Sequence, residues 1–167
     1  MTSEISYNYE NLHNPLDILE QIIFLKKWSC SRANDNELIA DIKSKSCLYR
    51  LYFAWSEEIN AVSLTITFDL TVPESKKNLI YELLALINEN LWIGHFDVTS
   101  KTHIPSYRNT YLIKEKSIES IKILEDLIYI GINECEKFYP SFQMVLWENF
   151  DPNTAANTCL MDTMGQA

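Results

Sequence analysis

The sequence predicts an α+β domain, with an antiparallel sheet packed on one side by long helices. Two strand runs carry this reading. Val62, Leu64, Ile66, Phe68, Leu70 and Val72 alternate with Ser63, Thr65, Thr67, Asp69 and Thr71, the period-two pattern of a strand buried on one face only. Cys47, Tyr49, Leu51, Phe53 and Trp55 alternate in the same way, and the short polar link Ser56 to Asn60 makes the two runs a hairpin. Helical stripes separate groups of strands instead of alternating with single strands, so the β-α-β rhythm of a parallel sheet is absent.

The elements follow in the order helix, three to four strands, helix, two strands, helix. Asn14-Pro15-Leu16-Asp17 opens the first helix. Asn caps free amides, Pro fits the first helical position, and an acid suits the positive end of the helix dipole. Leu16, Leu19, Ile22 and Ile23 extend it to about Lys27, and residues 1–13 are expected to be a flexible N-terminus before a single domain over 14–167. Leu38 to Ile42 reads as a short strand ahead of the hairpin. Pro73-Glu74 opens a second helix on Ile80, Leu83, Leu84, Ile87 and Leu91, widened by Leu79, Leu86 and Trp92, with Gly94 placed to end it. His95 to Ser100 and Tyr107 to Ile113 read as a strand pair around a loop containing Pro105.

Ser117 starts the third long helix, running to about Tyr139 on Ile121, Leu124, Ile128, Cys135 and Phe138, with Ile123, Leu127 and Ile130 on another side. Pro140 is expected to kink or restart it. Asp151-Pro152 caps a last short helix ending near Gly165.

Bulk properties narrow the function classes. Asp and Glu total 23 against 14 Lys and Arg, a net charge of −9. Affinity for nucleic acid comes largely from cations replacing phosphate counterions, so DNA and RNA are disfavoured, as are anionic membrane surfaces. The polar, acidic N-terminus lacks the cationic start and apolar core of a signal peptide, and no apolar run is long enough to span a bilayer, so a cytoplasmic location is expected. Cys30, Cys47, Cys135 and Cys159 form no C-x-x-C and are expected to be reduced thiols, Cys135 buried and Cys30 and Cys159 more exposed.

Few residues point to chemistry. His95 and Asp97 share a strand face, with His103 on the next loop. They are the basis of an alternative reading as a small metal-dependent or hydrolytic enzyme, although no Cys or further carboxylate completes a metal shell. Glu57-Glu58 and Glu125-Asp126 are paired acids best read as solvated surface. Three glycines in the chain exclude a glycine-rich phosphate loop. Arg50 and Tyr52, in contrast, project away from the packed side beside Thr65 and Thr67, and Tyr and Arg are enriched where proteins bind one another. These four residues are the candidate partner contact. The broad stripes of the second and third helices imply mutual packing or an apolar patch for a second copy.

Four segments together resemble a known family: Asn14-Pro15-Leu16-Asp17, Tyr49 to Trp55, Leu84 to Asp97, and Phe138-Tyr139-Pro140-Ser141-Phe142-Gln143. They are similar to the YbjN-domain family of bacterial proteins, loosely described as sensory-transduction regulators. The resemblance is most specific over Leu84 to Asp97 and weakest over Cys30 to Ser46. It implies an α+β fold similar to that of type III secretion chaperones, no established catalytic residue and no cofactor. The resulting expectation is a non-catalytic, chaperone-like or adaptor module, homodimeric and bound to a protein partner.

Overall fold

A computed structural model describes residues 14–113 and 118–164. The expected flexible segment 1–13, the helix start at Ser117 and the helix end near Gly165 lie outside the described residues, as does the side chain of Ile121. The chain builds α1 (Pro15–Leu25), β1 (Ser29–Asn34), β2 (Glu37–Lys43), β3 (Leu48–Ser56), β4 (Ala61–Thr67), α2 (Lys77–Asn88), β5 (His95–Val98), β6 (Pro105–Leu112), α3 (Ile118–Leu146) and α4 (Pro152–Met164). The fold is α+β. Its six strands form one sheet in the order β1-β2-β3-β4-β6-β5, and every pairing is antiparallel.

One face of the sheet is apolar and buried. Leu38, Ala40 and Ile42 of β2, Tyr49, Leu51 and Phe53 of β3, Val62, Leu64 and Ile66 of β4, Tyr107 of β6 and Phe96 of β5 point to it. They share one core with Leu16, Leu19 and Ile23 of α1, Ile80, Leu83 and Ile87 of α2, and Leu124, Ile128, Phe138 and Phe142 of α3. Edge-on ring contacts bind its centre, with Phe68 meeting Tyr49, Tyr139 and Phe142. Gly131 lets α3 lie close on the sheet, because a Cβ there would sit 2.7 Å from Ile66 Cδ1.

Several boundaries differ from expectation. α1 stops at Leu25, where Lys27 takes a left-handed φ of 58°. β1 makes four strands of the expected three to four, in a place the sequence does not mark, since its residues Ser-Cys-Ser-Arg-Ala-Asn carry no apolar alternation. β4 pairs only to Thr67, yet Phe68, Leu70 and Val72 stay buried. The chain bends at Asp69, and that segment is held by Phe68 N to Pro105 O and Val72 N to His103 O. Pro105 opens β6 instead of lying in a loop, a position where a missing N–H does little harm. α2 ends at Asn88, four residues short of Trp92, which is fully exposed. Asn88 instead turns its side chain to β5, accepting from Phe96 N and donating to Phe96 O. Gly94, at φ 71°, sits at the entry to β5 and not at the helix end.

α3 does not break at Pro140. Proline removes one helical hydrogen bond, but Phe138, Phe142 and Val145 on both sides of it are buried on one stripe. Continuous packing outweighs the lost bond. Asp151 caps α4 as its sequence implies, its Oδ1 accepting from Thr154 N at 2.9 Å. α4 lies against both α2 and α3, which absorbs much of their apolar width. Cys159 is buried there, contrary to the expected exposure, because it falls on the same side of α4 as Ala155 and Ala156.

Candidate functional site

The second face of the sheet is left uncovered by the described helices, and the strand registers place its residues in rows. Ser29, Asp41, Arg50, Thr67, Ser106 and Asp97 form one row across the six strands. Ser31, Ile39, Tyr52, Thr65, Arg108 and His95 form the next. Arg50 therefore lies directly opposite Thr67, and Tyr52 opposite Thr65. The four residues singled out from sequence come together as two adjacent cross-strand pairs. The burial alternation of β3 put Arg50 and Tyr52 on this face, and that of β4 put Thr65 and Thr67 there.

The arginine is held in a fixed pose. Its Nε and Nη2 donate to the two carboxylate oxygens of Asp41, at 2.7 and 3.1 Å. The hydrogen bond from Arg50 holds the Asp41 carboxyl below the usual carboxylate range. Thr67 Oγ1 donates to Arg50 O at 3.3 Å. A forked pair of this kind fixes direction as well as charge, and Tyr52 adds a side-chain hydrogen bond to the same guanidinium. Beyond β4, Arg108 Nε lies 2.7 Å from Asp97 Oδ2, though off the hydrogen-bonding direction, and Ser106 donates to Asp97 Oδ1.

Tyr52, 39% exposed, stands between two shallow clefts. One, of about 230 Å³, is lined by Leu48, Arg50, Tyr52, Thr67 and Ile104, and the other, of about 290 Å³, by Glu37, Ile39, Tyr52 and Ala54. The face thus offers an aromatic ridge, an oriented guanidinium and hydroxyls.

Sequence reasoning missed Asp41, Ile39 and Arg108 as members of this face. The alternation within Leu38 to Ile42 held the signal for the first two, since Leu38, Ala40 and Ile42 take the buried side.

The alternative trio does not assemble. His95 is exposed on β5 and Asp97 is engaged by Arg108 and Ser106. His103 occupies a tight turn at φ 54°, bonded through its backbone to Thr99 O and Val72 N. Among the described residues no three His, Cys, Asp or Glu side chains form a group that would hold a metal ion. Cys135 is buried, and burial pushes its thiol well above the usual range, which makes it a poor nucleophile. Glu57 and Glu58 are exposed in the β3–β4 turn, and Glu125 pairs with Lys26 at 2.9 Å.

No described helix is long and apolar enough to cross a membrane. Neither the curated proteins nor the solved structures hold a match to the chain. A family model described as "Putative bacterial sensory transduction regulator" matches residues 15–144, most of the chain, and the protein therefore belongs to the YbjN family.

Proposed function

We propose that this protein is a non-catalytic regulatory module that binds another protein through the open face of its sheet. The observation that carries the reading is the pairing of Arg50 with Thr67 and Tyr52 with Thr65 on a face left uncovered by the described helices. A fixed arginine fork and a half-exposed tyrosine are the side-chain types that dominate protein interfaces. Family membership supports a regulatory role. The donors that a metal-dependent enzyme would use, His95, Asp97 and His103, form no metal-holding group among the described residues.

A homodimeric, chaperone-like adaptor is the form we propose. Its support is the helical side, where Tyr81, Trp92, Tyr129 and Trp147 remain exposed. The sheet face then stays free for the client.

The test is co-purification from the native cell with a tagged full-length chain, beside an Arg50→Ala/Tyr52→Ala variant. One dominant protein is expected near one-to-one with the wild type and at least tenfold depleted with the variant. Because both side chains lie outside the core, the variant should melt within ~2 °C of the parent. Equal recovery by the variant would remove the open face as the contact. Recovery of the tagged chain alone would remove the adaptor reading.

A further inference from the structure

The two outer edges of the sheet are finished differently. In an antiparallel ladder, residues alternate between bonding a neighbour and pointing away from it. Trp55 N donates to Asn36 O and Ser44 N to Cys47 O. The even-numbered residues of β2 therefore bond β3, and Glu37, Ile39 and Asp41 bond β1. With Ser29 opposite Asp41 and Ser31 opposite Ile39, it follows that the main-chain N–H and C=O of Cys30 and Arg32 point outward. The same reasoning at the other edge turns Phe96 of β5 outward, since Ile113 N bonds Asn60 O and Phe68 N bonds Pro105 O across β4 and β6. There the Asn88 amide occupies both Phe96 groups, imitating a neighbouring strand. That edge is closed at Phe96. The outward groups of Cys30 and Arg32 have no such cover among the described residues.

Natural edge strands are guarded by outward charges, proline, bulges or a covering element. β1 has a register shift only between Arg32 and Asn34, and no proline. Its one cation does not shield it, because Arg32 is drawn back onto α1, with Nη1 3.1 Å from Asp17 and 3.4 Å from Glu20. On the open face the strand shows Ser29, Ser31 and, after the register shift, Asn34 opposite Glu37. The acids left free of Arg32 near this edge are Asp35 and Glu37 at the β1–β2 turn, since Asp17 and Glu20 beneath it are paired with Arg32.

We infer that β1 is a docking edge that accepts an extended, basic segment of a protein partner as a seventh strand. The unpaired backbone groups call for an extended polypeptide, the mode by which many domains capture peptides on a sheet edge. The acidic surroundings select Lys or Arg side chains. The added strand would continue the rows of Arg50 and Tyr52, so the inference rests on the protein-binding reading above and supplies its backbone component.

The probe is a synthetic octapeptide alternating Thr and Lys, titrated to millimolar concentration into the isotope-labelled full chain and followed by amide NMR and hydrogen exchange. The amides of Cys30 and Arg32 are expected to exchange fast in the free protein and to become protected on binding. A Cys30→Pro variant removes one outward donor without touching the β1–β2 ladder. It should bind the peptide at least ~tenfold more weakly, while Cys30→Ala binds as the parent does. No protection in the wild type, or equal binding by Cys30→Pro, overturns the inference. Protection already present in the free chain, and lost on deleting residues 1–13, would make this chain's own N-terminus the occupant and overturn it too. If partner recovery depends on Arg50 and Tyr52 but is indifferent to Cys30→Pro, the open-face reading stands and this one fails.

Discussion

At Glu134 a carboxylate oxygen is enclosed without a hydrogen-bonding partner, and burial pushes the carboxyl above its usual range, with Lys137 pulling part of the way back. An acid whose folded pKa is raised opposes folding once ionised. That cost is full at pH values above the folded pKa and disappears as pH falls below the unfolded value of ~4.3. Glu134→Gln should therefore raise the melting temperature at pH 7–8, by only ~1–2 °C because solvent reaches the group and screens it. No gain should remain near pH 3.5, and a gain that persists there would show a packing effect instead. Glu136, one residue beyond its buried neighbour Cys135, behaves oppositely. Burial pushes it up, but hydrogen bonds from Ser44 and Ser46 outweigh this and hold it below the usual range. Nothing in the sequence separates these two glutamates, because the difference comes from what the β2–β3 turn brings to α3. Arg50 and Tyr52 were legible for the opposite reason: strict alternation along β3 fixes their face without knowledge of any neighbour.

Asn88 works at the scale of an element, ending α2 and closing β5 with one side chain. Its two bonds to Phe96 measure 2.8 and 3.0 Å and are partly buried. Asn88→Ala would leave an N–H and a C=O without partners, at a cost of about 1–3 kcal/mol. The expected result is a melting temperature lower by ~2–10 °C, with fast hydrogen exchange at Phe96. An unchanged melting temperature would mean that water replaces the amide at no cost. The same elements mark where sequence pattern loses its hold. Apolar residues through Trp92 suggested a longer α2, but the chain must turn there to bring β5 beside β6, and that demand is tertiary. Pro140 suggested a broken α3, yet the core stripe continues through it. β1 left no periodic trace, since an edge strand of small polar residues gains its order from pairing with β2 and from Arg32 gripping α1. The long one-sided strands and capped helices needed no such help and were readable directly.

For the whole molecule, the boundary of the folding unit lies beyond the boundary of the family match. The match ends at residue 144, but the buried core continues into α4 with Ala155, Ala156 and Cys159. These small side chains let α4 sit close on both α2 and α3, whose apolar width exceeds what the sheet alone can cover. Lys76 strengthens the same corner by donating to Val145 O and to Asn149 just before α4. A chain ending at Glu148 would keep every strand and the whole match, yet expose apolar surface on two helices. Each side chain of Leu or Ile size returned to water costs about 1.5–3 kcal/mol. Exposure of even two therefore predicts a loss of ~3–6 kcal/mol, or ~6–20 °C in melting temperature, with new binding of a hydrophobic dye. The full chain should unfold in one step, with tryptophan fluorescence and far-ultraviolet dichroism coincident, because one core joins all its layers. A truncated chain that melts with the parent would show that α4 is an appended element rather than part of the core, and would leave the outer surfaces of α2 and α3 free for the second copy of a dimer.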